Sequence, residues 1–451
     1  MTPNPALLKS IEKLDYRVTV GDVAAQAGLE LNFAQQGLLA LASEAGGHLQ
    51  VAESGDMVFL FPPNFRSILR NKYWKLRFKE FLSKIWLVLF YLIRISFGII
   101  LGLSILLLLI SIAVIVIAIS SQRNDNDSGG GDWGGSSGSS GNGGGFSIFP
   151  GDFFWFFYPS YGYDSPRNRS HKSSQGRGDR SGQLNFLEAI FSFLFGDGNP
   201  NFDLEERRWQ QIAAVIQNQG GAIAASQLLP YLDNPTPLSV ANEDHENFNE
   251  DYILPVLSRF NGYPQVSEAG DIIYAFPELQ VTAKQRKPQA VAAYLKEKRV
   301  LFSEATSGQV LAASGLGGFN LILALVLGSL IRDPSLVAQL GSFIVFVHSI
   351  YGLLLGYALA FLGIPLIRYF VIQSRNRRIE ARNSHRQAKA QWLIEADATL
   401  QRKIGFARQF AAEKVITKAD LAYTTEQDML EQEAERSDKI DEEWRKRFES
   451  K

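Results

Sequence analysis

The chain has 451 residues, room for two or three domains, and its 45 Lys and Arg against 46 Asp and Glu leave a net charge of −1. That balance excludes a chain built throughout as a polycation for nucleic acid. There is no cysteine, which excludes disulfides, thiolate metal sites, a cysteine nucleophile and a cysteine-held iron–sulphur cluster.

Residues 1–63 form the first expected module. Residues 1–44 lack a continuous apolar core, so no cleavable signal peptide is expected. Val20 to Gly28 reads as a short helix ending in glycine. Asn32 is expected to cap a helix from Phe33 to Ala45, with Phe33, Leu38, Leu41 and Ala42 near one face and Gly47 as its breaker. Next comes Gln50-Val51-Ala52-Glu53-Ser54-Gly55-Asp56-Met57-Val58-Phe59-Leu60-Phe61-Pro62. It reads as a β-hairpin: Gly55 supplies the positive φ of a tight turn, β-formers follow, and Pro62 stops the second strand.

Residues 64–84 interleave Arg66, Arg70, Lys72, Lys75, Arg77, Lys79 and Lys84 with Phe65, Tyr73, Trp74, Phe78 and Phe81. Rings and cations together suit the headgroup layer of a bilayer, so an interfacial helix is expected. Residues 85–120 are almost wholly apolar, interrupted by Arg94, and long enough for a span of about 20 residues. A single span or a re-entrant hairpin bent near Gly98 and Gly102 are the alternatives. Residues 121–182 are a low-complexity linker: Gly/Ser-rich to residue 145, then densely aromatic around Phe153, Trp155 and Phe157, then basic and polar. The aromatic run is expected to lie on the membrane or against a partner.

Residues 183–278 open with a short apolar helix, Leu184 to Phe195, closed by Gly196-Asp197-Gly198-Asn199-Pro200. That closure lacks the further spaced oxygen ligands of a calcium loop and reads as a turn. Helices are expected at Ile212 to Gln219, Ala222 to Leu232, and around Tyr252, Ile253, Val256, Leu257 and Phe260, with Gly262 as a breaker and Asp233 to Asn249 as an insertion. Then Gln265-Val266-Ser267-Glu268-Ala269-Gly270-Asp271-Ile272-Ile273-Tyr274-Ala275-Phe276-Pro277 repeats the first hairpin without a gap, identical at seven of thirteen positions. An internal duplication is the reading, and helices followed by a hairpin give the order of a winged helix-turn-helix domain. Two unrelated α+β modules sharing a hairpin are the alternative.

Residues 279–309 are a basic connector, expected to be mostly helical over Lys284 to Arg299. Apolar helices are expected at 310–331 and 340–372, with Gly352 and Gly356 at a small-xxx-small spacing. His348 reads as a packed interhelical hydrogen bonder and Arg94 as a group that snorkels or pairs; neither reads as a catalyst. Residues 373–451, opened by Arg375, Arg377 and Arg378, read as a charged helical tail, solvated or coiled-coil-like, with Thr417 and Asp420 as a candidate cap. The fold class is thus α+β soluble modules (two winged-helix-like domains) plus transmembrane α-helices and a helical C-terminal tail.

A DNA-binding winged helix predicts basic surfaces. Residues 1–62 carry three basic against seven acidic residues, net −4, and residues 203–278 three against twelve, net −9. Phe33 to Ala45 contains no lysine or arginine. DNA is therefore an unfavoured partner, and Glu53, Asp56, Glu268 and Asp271 at the hairpin turns become candidate protein contacts. The five histidines show no metal-ligand spacing. No phosphate-binding loop, nucleophile elbow or zinc motif is present, so no enzyme, cofactor or small-molecule substrate is inferred. The reading is a non-enzymatic adaptor or assembly factor whose partners are the lipid bilayer and a protein complex. The alternatives are a membrane-tethered nucleic-acid-binding regulator and an accessory subunit of a transport system.

Residues 185–201, the two Glu-x-Gly-Asp hairpins, and Asn376-Arg377-Arg378-Ile379-Glu380-Ala381-Arg382-Asn383 together resemble an uncharacterised cyanobacterial membrane-protein family with chloroplast-envelope relatives. The resemblance implies a plasma, thylakoid or envelope membrane of a photosynthetic source, and supplies no catalytic residues. Plant members carry an iron–sulphur cluster biosynthesis label, to which a cysteine-free chain adds no ligand. Positive flanks before Ile85 and after Ile372 both mark the cytoplasmic or stromal side. Three spans do not satisfy both, so one apolar run is expected to turn back or one charge signal to mislead.

Overall fold

The computed structural model describes residues 4–72, 74–124, 185–233, 250–332, 341–395 and 398–434, with residues 437 and 445. Helix α1 (Pro5–Lys13) starts on an Asn4 cap that accepts from the Ala6 amide at 2.8 Å, with Pro5 in the first turn. Strand β1 (Arg17–Thr19) runs into α2 (Val20–Ala27), where Thr19 and Asp22 form a reciprocal capping box and Gly28 closes the helix at φ 65°. Helix α3 (Leu31–Ala45) begins two residues before the sequence expectation. Its N-cap is Glu30, not Asn32, and no side chain caps it. Its left-handed closing residue is Gly46. Gly47, assigned that role from sequence, serves close packing instead: a Cβ there would lie 3.0 Å from the Phe61 ring and from the Ala42 Cα.

Strands β2 (His48–Ala52) and β3 (Met57–Leu60) form the first hairpin, and β1 adds to β3. Helix α4 (Phe65–Lys72) follows, then α5 (Trp74–Asn124), 51 residues without a break. The re-entrant alternative is thereby corrected, since Gly98 and Gly102 lie inside a continuous helix. Gly98 is instead a contact point: a Cβ there would meet Leu187 at 2.6 Å. Leu187 belongs to α6 (Phe186–Phe195).

Helix α7 (Leu204–Asn218) is longer than expected. The helix expected over Ala222 to Leu232 is a two-residue strand, β4 (Ala222–Ile223), and a 3₁₀ turn (Ala225–Leu228). Residues 234–249, most of the expected insertion, lie outside the described residues. A 3₁₀ turn (Asp251–Ile253) leads into α8 (Leu254–Phe260), closed by Asn261 at φ 50° and not by Gly262. Strands β5 (Tyr263–Val266) and β6 (Ile272–Ala275) form the second hairpin, followed by the one-turn helix α9 (Pro277–Gln280) and β7 (Val281–Thr282).

The connector is not helical. Pro288 interrupts it, and asparagine amides take up its backbone groups in place of a helical ladder. Asn218 accepts from the Gln289 amide at 3.0 Å and donates to its carbonyl at 2.8 Å. Asn201 does the same to Lys298, Asn383 to Glu297 and Asn376 to Val300, at 2.7–2.9 Å.

Helices α10 (Ser307–Leu330) and α11 (Ser342–Ile394) follow. The tail is α12 (Ala398–Gln409), β8 (Lys414–Val415), a 3₁₀ turn (Lys418–Asp420) on the expected Thr417–Asp420 cap, and β9 (Leu421–Thr424). A wholly helical tail is thus corrected. Its β-branched and aromatic residues join sheets: β9 pairs antiparallel with β2, and β8 parallel with β7.

Two compact units result. The first comprises residues 1–82, 200–299 and 377–451, the second residues 83–199 and 300–376. The first unit has one hydrophobic core to which both hairpin regions contribute, from Leu7, Val23, Leu38 and Phe59 to Ile212, Phe260, Phe276 and Leu279. Its described sheets have the strand orders β1-β3-β2-β9, β4-β6-β5 and β7-β8. Gly21 sits so close to α9 that a Cβ would lie 1.9 Å from the Glu278 carbonyl oxygen. Arg259 donates two bonds to the Gly28 carbonyl, at 2.6 and 3.1 Å, and lies 4.4 Å over the Trp209 ring.

The second unit packs α5, α6, α10 and part of α11 around Leu101, Ile105, Phe193, Ala324 and Phe361. The sequence grouped α6 with the second hairpin region; its contacts lie with the apolar helices. Among the described residues three helices (α5, α10 and α11) are long and apolar enough to cross a membrane. Gly317 faces Phe361 and Gly328 faces Tyr351, each with a would-be Cβ under 3 Å from the ring, the close approach that small residues permit. Gly352 and Gly356, singled out for spacing, have nothing within 4 Å of a would-be Cβ.

Candidate interaction site

The two hairpins match in geometry as well as in sequence. Gln50 is opposite Val58, and Gln265 opposite Ile273; Val51 is opposite Met57, and Val266 opposite Ile272. Gly55 and Gly270 have φ of 86° and 84°. The backbone amides of Ala52 and Ser267 donate to the backbone carbonyls of Asp56 and Asp271, both at 2.9 Å.

Both turn aspartates are held by the tail. Lys414 Nζ lies 2.7 Å from Asp56 Oδ2. Arg402 grips Asp271 with two bonds of 2.8 and 3.2 Å. Asp271 is buried, and the Arg402 hydrogen bonds hold its carboxyl below the usual range, aided by the Arg402 and Lys403 charges against the effect of burial. Glu53 and Glu268 remain exposed. Asp271→Ala is expected to lower stability by about 1 kcal/mol, because Arg402 is half-exposed and screened; the thermal midpoint of the full chain in detergent measures it.

A cavity of about 120 Å³ lies beside the first turn, lined by Thr19, Asn32, Gln35, Asp56, Asn261 and Glu278 among others. Small-molecule sites occupy roughly 300–1,000 Å³, so this one is too small for such a role. Burial pushes the Glu278 carboxyl up, and Asp56 adds to that effect.

The densest polar network braces the end of the connector. Glu297 is 4 % exposed and accepts from Arg382 at 2.5 and 2.7 Å and from Arg386 at 2.9 Å. Arg386, 3 % exposed, also donates to the Leu295 carbonyl and to Asp233, the latter at 2.6 Å. Arg208 completes the pairing of Asp233. The Arg382 hydrogen bond leads the effects that hold Glu297 below its usual range. Sequence reasoning missed this cluster. Its legible signal was Asn376 and Asn383, seven apart and so on one helix face, continued by buried Ile379, Arg386 and Ala390.

These shifts predict an acid-sensitive fold. Asp271 and Glu297 bind protons less readily folded than unfolded, so their contribution is full above ordinary carboxylate values of 3.8 and 4.5. It is lost as pH falls through the lower folded values. Glu278, shifted upward, opposes that trend as it protonates. The expected outcome is a melting midpoint that drops below about pH 4, with a shallower drop in the Asp271→Asn/Glu297→Gln double variant.

In the second unit, Asp197 accepts from Arg94 at 2.6 Å, from the Ser192 hydroxyl, and from the Glu304 amide at 2.9 Å. Arg368 donates to the Phe193 and Ser192 carbonyls at the end of α6. Arg94 therefore pairs, as one sequence alternative held, and Gly196–Pro200 is irregular, with a bend at Asp197 and a turn starting at Pro200. His348 faces outward.

Six of the ten expected membrane-interface residues have described side chains. Arg66 pairs with Glu12 at 2.6 Å. Arg70, Phe78, Arg375, Arg377 and Arg378 are exposed on helices. Lys72, Trp74, Lys75 and Arg77 belong to helices whose side chains there lie outside the description, and Phe153, Trp155 and Phe157 lie outside the described residues. Among the described residues no group of three or more His, Asp and Glu could hold a metal ion.

The described residues are therefore those of a helix-rich protein with small sheets and three helices long and apolar enough to cross a membrane. Over a 453-residue alignment the chain is 38% identical to the Arabidopsis thaliana "Uncharacterized protein At5g03900, chloroplastic", covering 98% of this chain and 81% of that protein. The chain belongs to the family of that plant protein. No protein-family model matches the chain, and no solved structure matches it.

Proposed function

We propose that this protein is a membrane-anchored, non-enzymatic adaptor or assembly factor, and that its first unit is a pair of winged-helix-like modules. Each half runs helix, strand, turn or helix, helix, hairpin, with sheet orders β1-β3-β2 and β4-β6-β5. The repeated hairpin supports a duplication behind that order. The observation that carries the function is that two acidic modules share one core. Helix α3, the counterpart of a recognition helix, has no cation to offer phosphate.

One core implies one compartment, so the chain crosses the membrane an even number of times between the modules. Helices α10 and α11 supply a passage out and back before the tail. Helix α5 supplies one crossing between the modules, and the one-compartment reading requires a return before the second module begins. Helix α6, ten residues and roughly 15 Å long, covers about half of a 30 Å hydrocarbon layer. Such a return would let both basic flanks, before Ile85 and after Ile372, lie on one side, as the charge pattern asks. The chloroplastic relative favours a plastid or related photosynthetic membrane, with the modules on the stromal or cytoplasmic face. An iron–sulphur role is accessory in this reading, since the chain supplies no thiolate.

The test is gentle detergent extraction of the tagged full chain. The adaptor reading expects stoichiometric recovery with a membrane protein complex, insensitive to salt, and no shift of duplex DNA. A salt-dependent DNA shift would replace it with the tethered-regulator reading, and recovery with a transporter would favour an accessory subunit.

A further inference from the structure

We propose that the outer edge of β5 is a docking strip for an extended, basic segment of a partner protein, which adds to the second sheet as β9 adds to the first. The proposal deepens the adaptor reading and rests on it.

The first hairpin shows the chemistry of an occupant. On the outer edge of β2, Gln50 pairs with Thr424, Val51 with Tyr423 and Ala52 with Leu421. The Leu49 carbonyl accepts from the Thr425 amide at 2.9 Å, and the Glu53 amide donates to the Asp420 carbonyl at 2.9 Å. Residues 49, 51 and 53 thus turn their backbone groups outward, and Lys414 meets Asp56 beside them.

By the shared register, the outward groups of the second hairpin are the Pro264 carbonyl, the Val266 amide and carbonyl, and the Glu268 amide. Among the described residues no strand pairs with them. Tyr263 is 45 % and Val266 62 % exposed. An exposed edge with unpaired backbone groups templates strand addition. Pro264 stands where Leu49 stands in the first copy and removes one outward donor. The strip therefore offers two acceptors and two donors, enough for a short strand and unsuited to a long one.

Charge at the strip's end points to the occupant. Glu268 is exposed there, as Glu53 is beside the strand that covers the first edge. In the first copy the strand on the edge follows Lys414 and Lys418. The segment sought has a β-branched or aromatic residue opposite Val266 and basic residues beside Glu268.

The experiment uses the full chain in detergent and, as probe, a synthetic peptide of the chain's own residues 414–425 with cysteine at the position of Tyr423. The natural chain has no cysteine, so Val266→Cys and Val51→Cys give single reporters. Expected is saturable binding with a disulfide to the Val266→Cys chain, at least tenfold weaker in Glu268→Lys and abolished by Val266→Pro. Circular dichroism of each variant confirms that it folds, and Glu268→Lys keeps the test open should Val266→Pro unfold. Binding unaffected by Glu268→Lys, reaction only with Val51→Cys, or a Val266→Cys chain that self-links into dimers without peptide would each overturn the proposal. The last result would make a second copy the occupant. Failure here leaves recovery of a membrane complex as a separate readout of the adaptor reading.

Discussion

Glu297→Ala is expected to destabilise the first unit by about 3 kcal/mol, the lower end of the cost of breaking a buried ion pair. The lower end applies because Arg386 keeps Asp233 and the Leu295 carbonyl as partners. The carboxylate receives three arginine bonds while almost wholly out of water, so its removal leaves the buried Arg386 guanidinium short of compensation. Arg386→Met alone is expected to cost a similar amount, by stranding Glu297. The Glu297→Ala/Arg386→Met double variant should cost clearly less than the sum, since the desolvation of both charges is then relieved together. Denaturation of the four chains in detergent gives the cycle; strict additivity would contradict the coupling.

Gly21→Ala is the second large effect. The added carbon would lie 1.9 Å from the Glu278 carbonyl oxygen and 2.9 Å from its carbon. These are backbone atoms at the start of the second module's closing turn and cannot swing aside as a side-chain tip can. Overpacking costs about 1–3 kcal/mol, and a backbone obstacle places this substitution near 3 kcal/mol. Hydrogen exchange should rise in α2 and in residues 277–282 together. An unchanged midpoint would mean that the two modules do not meet at Gly21.

The features written locally were legible. Glycine at a fixed place in a repeated thirteen-residue pattern gave both hairpins, and unbroken apolar runs gave the three long helices. Features created by distant partners were not. Asp56 and Asp271 looked like free acidic turns because Lys414 and Arg402 lie 358 and 131 residues away. The connector looked helical because its charges suit a solvated helix, whereas four asparagines outside it fix an irregular path. The tail showed its charge first, which hid Leu421–Thr424, a short strand that needs the edge of β2 to form. Gly46 and Asn261 were passed over because each stands beside a glycine that packs against phenylalanine.

Sidedness tests the central claim, that both modules and the tail form one body on one face of the membrane. Single cysteines at Ser54, Ala269 and Met429, all exposed, are probed in oriented vesicles with a membrane-impermeant thiol reagent. The account predicts that Ser54→Cys, Ala269→Cys and Met429→Cys all react from the same face. Reaction of Ala269→Cys from the opposite face alone would contradict the shared core and, with it, the paired-module adaptor.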